Sequence, residues 1–295
     1  MPKKSPSSSS KQPQLKPLLG AHVSASGGIS NAPINAHDEG CETFQFFLSS
    51  PHTYAMGEWK EDEAEKFIAL CKEFGYTQTF VHAPYLINLA SIKPQTRHGS
   101  ISLLRNTLER ASLIGVTGVM FHTGSATGHE NKADGLKLAI KSLNEILDGY
   151  TGSAKLLLEN AAGAGQTLGV SFQEIGEMFE GVKQRKHMGV CIDTQHSFGS
   201  GYDWRDEKLA KKAFADFEKY IGFEHLTVVQ VNDSKVDCGS NKDRHEHIAD
   251  GKIGVDGMHN IMSNAKMRQV PWILETEPEG RDQDLKTLQK IRASL

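Results

Sequence analysis

The chain has 295 residues, 38% of them hydrophobic and 23% charged, with a net charge of −3 from 33 basic and 36 acidic side chains. That profile fits a globular chain of one large or two ordinary domains and lacks the basic excess usual in DNA binders. No apolar stretch approaches the ~18–20 residues that cross a bilayer, the start of the chain has no signal-peptide core, and Cys41, Cys71, Cys191 and Cys238 form no CxxC pair. An intracellular, reducing compartment is expected, with nucleus and cytoplasm not distinguished.

In chain order, residues 1–16 are rich in Lys, Ser and Pro and are expected to form a disordered basic tail. A single folded domain is expected over 17–295. Eight short apolar runs read as strands: LLGAHVSA, TFQFFLS, QTFVHAPY, GVMFHTG, KLLLENA, MGVCIDT, LTVVQVND and PWILETE. Most are continuous rather than alternating, as in parallel strands covered on both faces. Helical spacing is clearest in WKEDEAEKFIALCKEFG, SISLLRNTLERASLIG, ADGLKLAIKSLNEILDG and DEKLAKKAFADFEKYIG. Eight such units predict an α/β fold, a (β/α)8 TIM barrel, typically of about 250 residues. A doubly wound sheet is the alternative, but it concentrates ligands at one switch point.

Nearly every strand run ends in a side chain able to bind metal. His82, His122, Glu159, Asp193 and Glu275 each close an apolar run, and His196 follows Asp193 by three residues. Asp243 and His245 form a DxH pair in a later loop. Such residues converge only if their strands are parallel neighbours, which points to a hydrolytic site with several metals at the C-terminal ends of a barrel. Three His and three carboxylates, plus the DxH pair, suit two or three Zn²⁺-like ions. Each has a plainer reading: a strand-end His as a satisfied structural residue, Glu159 as half of a buried ion pair. Cys191 lies within a strand run and reads as core.

Several motifs together resemble endonuclease IV. They are GAHVSASGG (20–28), HAPYLINLAS (82–91), LEN with a Gly-rich loop (158–169), GVCIDTQHSFGSGYD (189–203), NDSK (232–235), GSNKDRHEHI (239–248), GKIG (251–254) and ILET (273–276). The resemblance runs in order from about Leu18 to the end of the chain. It implies a TIM-barrel apurinic/apyrimidinic endonuclease of DNA base-excision repair with three zinc ions. His82, His122 and Glu159 would hold the first, Glu159, Asp193 and Glu275 the second, and His196, Asp243 and His245 the third. Glu159, Asp193 and Glu275 would be the catalytic carboxylates.

The family pattern places a further His ligand where this chain has Gln230. A neutral amide oxygen is a harder, weaker ligand, so a looser second site that accepts Mn²⁺ more readily is expected. His225 lies five residues earlier, too far to substitute. The family's Arg and aromatic after the second strand are replaced by SSPHTY, with His52 and Tyr54. Tyr85 fits the family's second lesion-side residue, with rim packing as its plainer reading. Asn241 stands for a usual Arg, and Lys235, Lys242 and Arg244 are candidate phosphate contacts.

The implied reaction is hydrolysis of the phosphodiester 5′ to an abasic site in double-stranded DNA, by a hydroxide formed from metal-bound water, leaving a 3′-hydroxyl and a 5′-deoxyribose phosphate. A 3′ end-trimming activity would accompany it. The family implies a monomer without an obligate protein partner. Two rivals are a metal-dependent sugar isomerase or epimerase on a related barrel, and a protein that binds abasic DNA without cutting it.

Overall fold

A computed structural model describes residues 16–295. The expected tail, save its last residue, lies outside the described residues. Eight parallel strands close into a barrel. They are β1 (Leu19–His22), β2 (Thr43–Phe47), β3 (Thr79–His82), β4 (Gly118–Phe121), β5 (Lys155–Glu159), β6 (Met188–Asp193), β7 (Leu226–Gln230) and β10 (Trp272–Leu274). Each sequence neighbour pairs with the next, and β10 closes the ring between β7 and β1. A two-stranded antiparallel insert, β8 (Asp233–Ser234) with β9 (His245–Glu246), rises from the loop after β7. All eight expected strands are present. Several end before the apolar run does, because the chain leaves the ladder to form the mouth.

Between strands run helices α1 (Asn31–Asp38), α2 (Glu61–Glu73), α3 (Pro94–Leu113), α4 (Lys132–Leu147), α5 (Phe172–Glu180), α6 (Thr194–Ser200), α7 (Glu207–Tyr220), α8 (Gly254–Ser263) and α9 (Arg281–Ala293). The four expected helices are α2, α3, α4 and α7. Helix α3 begins six residues before its apolar pattern does, with Pro94 at its first turn, where a missing N–H costs no hydrogen bond. Among the described residues, no helix is long and apolar enough to cross a membrane.

The interior of the barrel shows why the polar residues gather at one end. Phe80, Met120, Leu157, Cys191, Val228 and Ile273 form one buried cluster, one residue from each of six strands. Strand side chains alternate with period two. The next inward positions are therefore His82, His122, Glu159, Asp193, Gln230 and Glu275. Counting two back from His22 and Gln45 gives Gly20 and Thr43. A Cβ on Gly20 would lie 1.7 Å from the Thr43 carbonyl oxygen, so only glycine fits there. An apolar layer thus carries a polar layer to which all eight barrel strands contribute.

Candidate active site

The polar layer lies under the C-terminal mouth. Glu159, Asp193 and Gln230 are fully buried, and His82 and His196 nearly so. Donor atoms within 4.8 Å of one another form three groups: His82–His122–Glu159, Glu159–Asp193–Glu275 and Asp193–His196–His245. Glu159 belongs to the first two and Asp193 to the last two, so the groups form a linked chain. Asp243 completes the third, with its carboxylate 3.2 Å from His196 Nε2 and 3.4 Å from His245 Nε2.

Hydrogen bonds behind these residues fix where their lone pairs point. His82 Nδ1 lies 2.7 Å from the Ala83 carbonyl, which only an N–H can satisfy. Its Nε2 then faces Glu159 Oε2 at 3.2 Å. His196 Nδ1 lies 3.0 Å from the Asn160 carbonyl, and Nε2 faces Asp243. Both oxygens of Glu159, with His196 Nε2 and His245 Nε2, are buried and make no aligned hydrogen bond. Two lone pairs facing each other in a buried site need a proton or a cation between them. Imidazoles whose second nitrogen donates to a backbone carbonyl are the usual arrangement of metal-binding histidines. The residues present therefore fit a metal.

Electrostatics point the same way. Burial alone would lower His82, but contact with Glu159 outweighs it and the ring is raised to about 9. His196 is likewise raised well above its usual value against burial, by Asp193, Asp243 and Glu159. Glu159 is held well below the carboxylate range despite burial, by His122, His196 and His82. Burial pushes Glu275 up to about 7 and lowers His22 to about 3. So many buried carboxylates in one place require several positive charges, and protons are what the bare protein supplies.

Short local motifs set the arms of the site. Asp193 ends β6 and also caps α6, accepting from His196 N at 2.7 Å, so one carboxylate both starts the helix and sets its first-turn histidine. Asn232 Nδ2 donates to Asp193 Oδ2 at 2.7 Å, and Asn232 Oδ1 accepts from Glu275 N at 2.8 Å. Asn160 brackets the backbone of Asp193 on the other side. Asp233 accepts from the backbone N–H groups of Ser234, Ala249, Ile253 and Gly254, which pins the loop bearing Asp243 and His245.

The profile of the xylose isomerase-like TIM barrel family matches residues 34–293. A protein of Campylobacter concisus named "Probable endonuclease 4" is 38% identical over 264 residues, covering 89% of this chain and 93% of that one. Endonuclease IV from Thermus thermophilus superposes with a TM-score of 0.83 at 30% identity, over 95% of this chain and 100% of that one. The chain belongs to the endonuclease IV family. An apurinic-apyrimidinic endonuclease of Caenorhabditis elegans is 35% identical over 266 residues, 90% of this chain and 67% of that protein. A D-tagatose 3-epimerase-like structure matches at 17% identity with a TM-score of 0.69, a likeness of fold alone, so the sugar-isomerase rival is not favoured.

Endonuclease IV membership makes the remaining expected residues worth placing one by one. Gln230 ends β7 on the floor of the site, its Oε1 accepting from Cys191 Sγ at 3.1 Å and its Nε2 donating to Gln45 Oε1 at 3.4 Å. An amide oxygen has two lone pairs, so one remains beyond the thiol contact. Tyr85 is 57% exposed on the rim, edge-on to Phe47 and beside His82. Tyr54 is 39% exposed; its hydroxyl donates to the Leu86 carbonyl at 2.8 Å and its ring lies against Gly99. His52 is exposed on the same loop. Lys235 and Arg244 line one cavity with Asp243, His245 and Glu275, while Lys242 is exposed and gives its carbonyl to Gln195. Asn241, which stands where the family pattern has an Arg, has φ of 55°, a left-handed conformation that Asn tolerates better than most residues.

Three residues of the mouth escaped the sequence reading. His22 and Gln45 occupy the polar layer on β1 and β2, and the same two-residue step from strand interior to strand end would have found them. Arg281 is buried, gives Nη2 to the Thr276 carbonyl at 2.6 Å and Nη1 to Glu39, and lines the cavity that holds His82, His122 and Glu275. Nothing in its local sequence, EGRDQD, announces that position.

Proposed function

We propose that this chain hydrolyses the phosphodiester 5′ to an abasic site in duplex DNA, leaving a 3′-hydroxyl and a 5′-deoxyribose phosphate. The observation that carries the reading is the linked set of three donor groups sharing Glu159 and Asp193, in a member of a family of metal-dependent DNA endonucleases. His82, His122 and Glu159 would hold one cation. Glu159, Asp193 and Glu275, with Gln230 as a weaker neutral ligand, would hold a second, and His196, Asp243 and His245 a third. Zn²⁺ suits the imidazole–carboxylate donors, and Gln230 tilts the second position toward Mn²⁺. Bound there, such cations would lower the pKa of a water toward ~7 and would offset negative charge on the phosphate and the departing oxygen.

The chain's own residues do the rest. The buried apolar layer beneath them fixes the carboxylates and keeps bulk water from the floor. Tyr85, exposed on the rim, would fill the gap left by a missing base. Lys235 and Arg244, which line a cavity with Asp243 and Glu275, would contact backbone phosphates together with the exposed Lys242 and His52; such contacts position the duplex without reading its sequence. Residues 17–295 would act as one domain, in a monomer with no obligate protein partner; a 3′ end-trimming activity would use the same centre. The test is incision of an end-labelled duplex with one tetrahydrofuran abasic analogue, which cannot undergo β-elimination. A single cut on the 5′ side, abolished by chelator and restored by Zn²⁺ or Mn²⁺, is the expected result. Tight binding without a cut under both metals would favour the non-catalytic binder.

A further inference from the structure

Six of the eight polar residues carried by the barrel strands have a role in the proposed centre. His22 and Gln45 do not, yet both sit in the same layer, paired in register across β1 and β2. Gln45 is fully buried. Its Nε2 donates to Glu275 Oε1 at 2.5 Å and lies 3.0 Å from His22 Nδ1, while its Oε1 accepts from Gln230 Nε2 at 3.4 Å. Both amide hydrogens and the carbonyl oxygen are thereby used. The orientation is also determined. Turning the amide over would set its oxygen against the Glu275 carboxylate and its NH₂ against the Gln230 NH₂.

The three carboxylates of the layer are held differently. Asp193 is gripped by Asn232 Nδ2 and by the backbone N–H of His196. Glu159 has no aligned hydrogen bond and is flanked by imidazoles. Glu275 lies just beyond the last ladder residue of the shortest barrel strand, β10, and among the described residues Gln45 is the one side chain that donates a hydrogen bond to its carboxylate. Without that bond, the ion-pair contact left to the Glu275 carboxylate among the described residues is the distant His22 ring, at 4.0 Å.

We propose that Gln45 is a positioning residue that aims the Glu275 carboxylate at the second cation, with Gln230 as the strut that holds Gln45 in place. The proposal rests on the metal-centre reading above. It gives Gln230 a task that a ligand role alone leaves out. Its oxygen is steadied by Cys191 and its N–H reaches Gln45, so a cross-strand line runs from β6 through β7 and β2 to the end of β10. Groups that hold a metal's ligands commonly change affinity by 10–100-fold when removed.

The test uses the full chain and its Gln45→Leu, Gln45→Met and Glu275→Gln variants, plus the Gln45→Leu/Glu275→Gln double variant. Each is loaded with Zn²⁺, dialysed at buffered free Zn²⁺, and measured for metal per chain and for unfolding temperature. The unfolding scan identifies any variant that fails to fold, and Met preserves length and volume should Leu disturb the layer. Folded Gln45 variants are expected to lose the same weakest metal equivalent as Glu275→Gln, with affinity there reduced roughly 10–100-fold. The double variant should lose no more. Wild-type retention in both Gln45 variants, or losses that add in the double variant, would overturn the role of Gln45. Failure of the wild-type chain to take up any metal would instead overturn the metal centre itself, and the proposal with it.

Discussion

His82 Nε2 stands 3.2 Å from Glu159 Oε2 while His82 Nδ1 is committed to the Ala83 carbonyl. The space between the two side chains must hold a positive charge. In the bare protein that charge is a proton, because Glu159 raises His82 to about 9 against the pull of burial.

Metal loading should therefore release protons. At pH 7 His82 is below its raised value and carries a proton that an incoming cation displaces; His196, raised by its neighbouring carboxylates, does the same. Apparent metal affinity should fall as pH falls, since protons and metal compete for the same nitrogens. Calorimetric titration with Zn²⁺ in two buffers of different ionisation enthalpy reads the number released. At least about one proton per chain is expected at pH 7, declining above pH 9 as His82 loses its proton unaided. Equal heats in the two buffers would remove the proton-filled picture.

Much of this was legible in the chain. Apolar runs ending in His82, His122, Glu159, Asp193 and Glu275 encode both the barrel and the centre, because a period-two strand stacks its polar end on its apolar interior. The same period hides His22 and Gln45, whose lower partners are Gly20 and Thr43 rather than large apolar residues. Helix α6 was not anticipated, since Asp193 closes a strand and caps a helix without an intervening loop. The fixing of Tyr54 to Leu86 and of Arg281 to Thr276 depends on contacts across 32 and 5 residues that no local pattern signals.

Gln230→His should tighten the second metal position. An imidazole offers a stronger nitrogen donor, and its other N–H can still reach Gln45 Oε1. Retention of that metal during dialysis should improve by about tenfold or more, a gain of ~1.4 kcal/mol, with the preference moving from Mn²⁺ toward Zn²⁺. Equal retention of Zn²⁺ by wild type and variant would show that residue 230 does not set the site's strength.

Tyr54→Phe separates bracing from DNA contact. The hydroxyl holds the Leu86 carbonyl at 2.8 Å, next to exposed Tyr85, so its loss costs about 1 kcal/mol of loop order. The expected result is a KM for abasic duplex raised up to about fivefold with kcat nearly unchanged, by the relation that 1.4 kcal/mol is tenfold. Tyr85→Ala should do more, raising KM and lowering kcat. A Tyr54→Phe variant indistinguishable from wild type, alongside a strongly impaired Tyr54→Ala, would assign Tyr54 to packing through its ring alone.

Arg292 offers a pH-dependent test of how the barrel is sealed. From the last turn of α9 it donates Nη2 to Glu42 Oε1 at 2.9 Å and Nη1 to the Pro17 carbonyl at 2.8 Å, and Glu42 also accepts from Leu19 N. The final helix is thereby tied to both strands at the seam where β1 meets β2. Burial works to raise Glu42, but the hydrogen bonds from Arg292 and Leu19 prevail and hold its carboxyl below the usual range. A carboxyl lowered by folding adds stability above its unfolded pKa of about 4.3, and that contribution is lost as pH falls through the folded value. Because Glu42 is 38% exposed, solvent screening limits the pair to about 1 kcal/mol. Arg292→Met should thus lower the unfolding temperature at pH 7 by ~2–4 °C. The gap should begin to narrow as pH falls below about 4.3 and close only below the lowered folded value, where Glu42 is protonated in both proteins. A gap of constant size from pH 7 to pH 3 would show that Arg292 works through its carbonyl contact and packing instead of through Glu42.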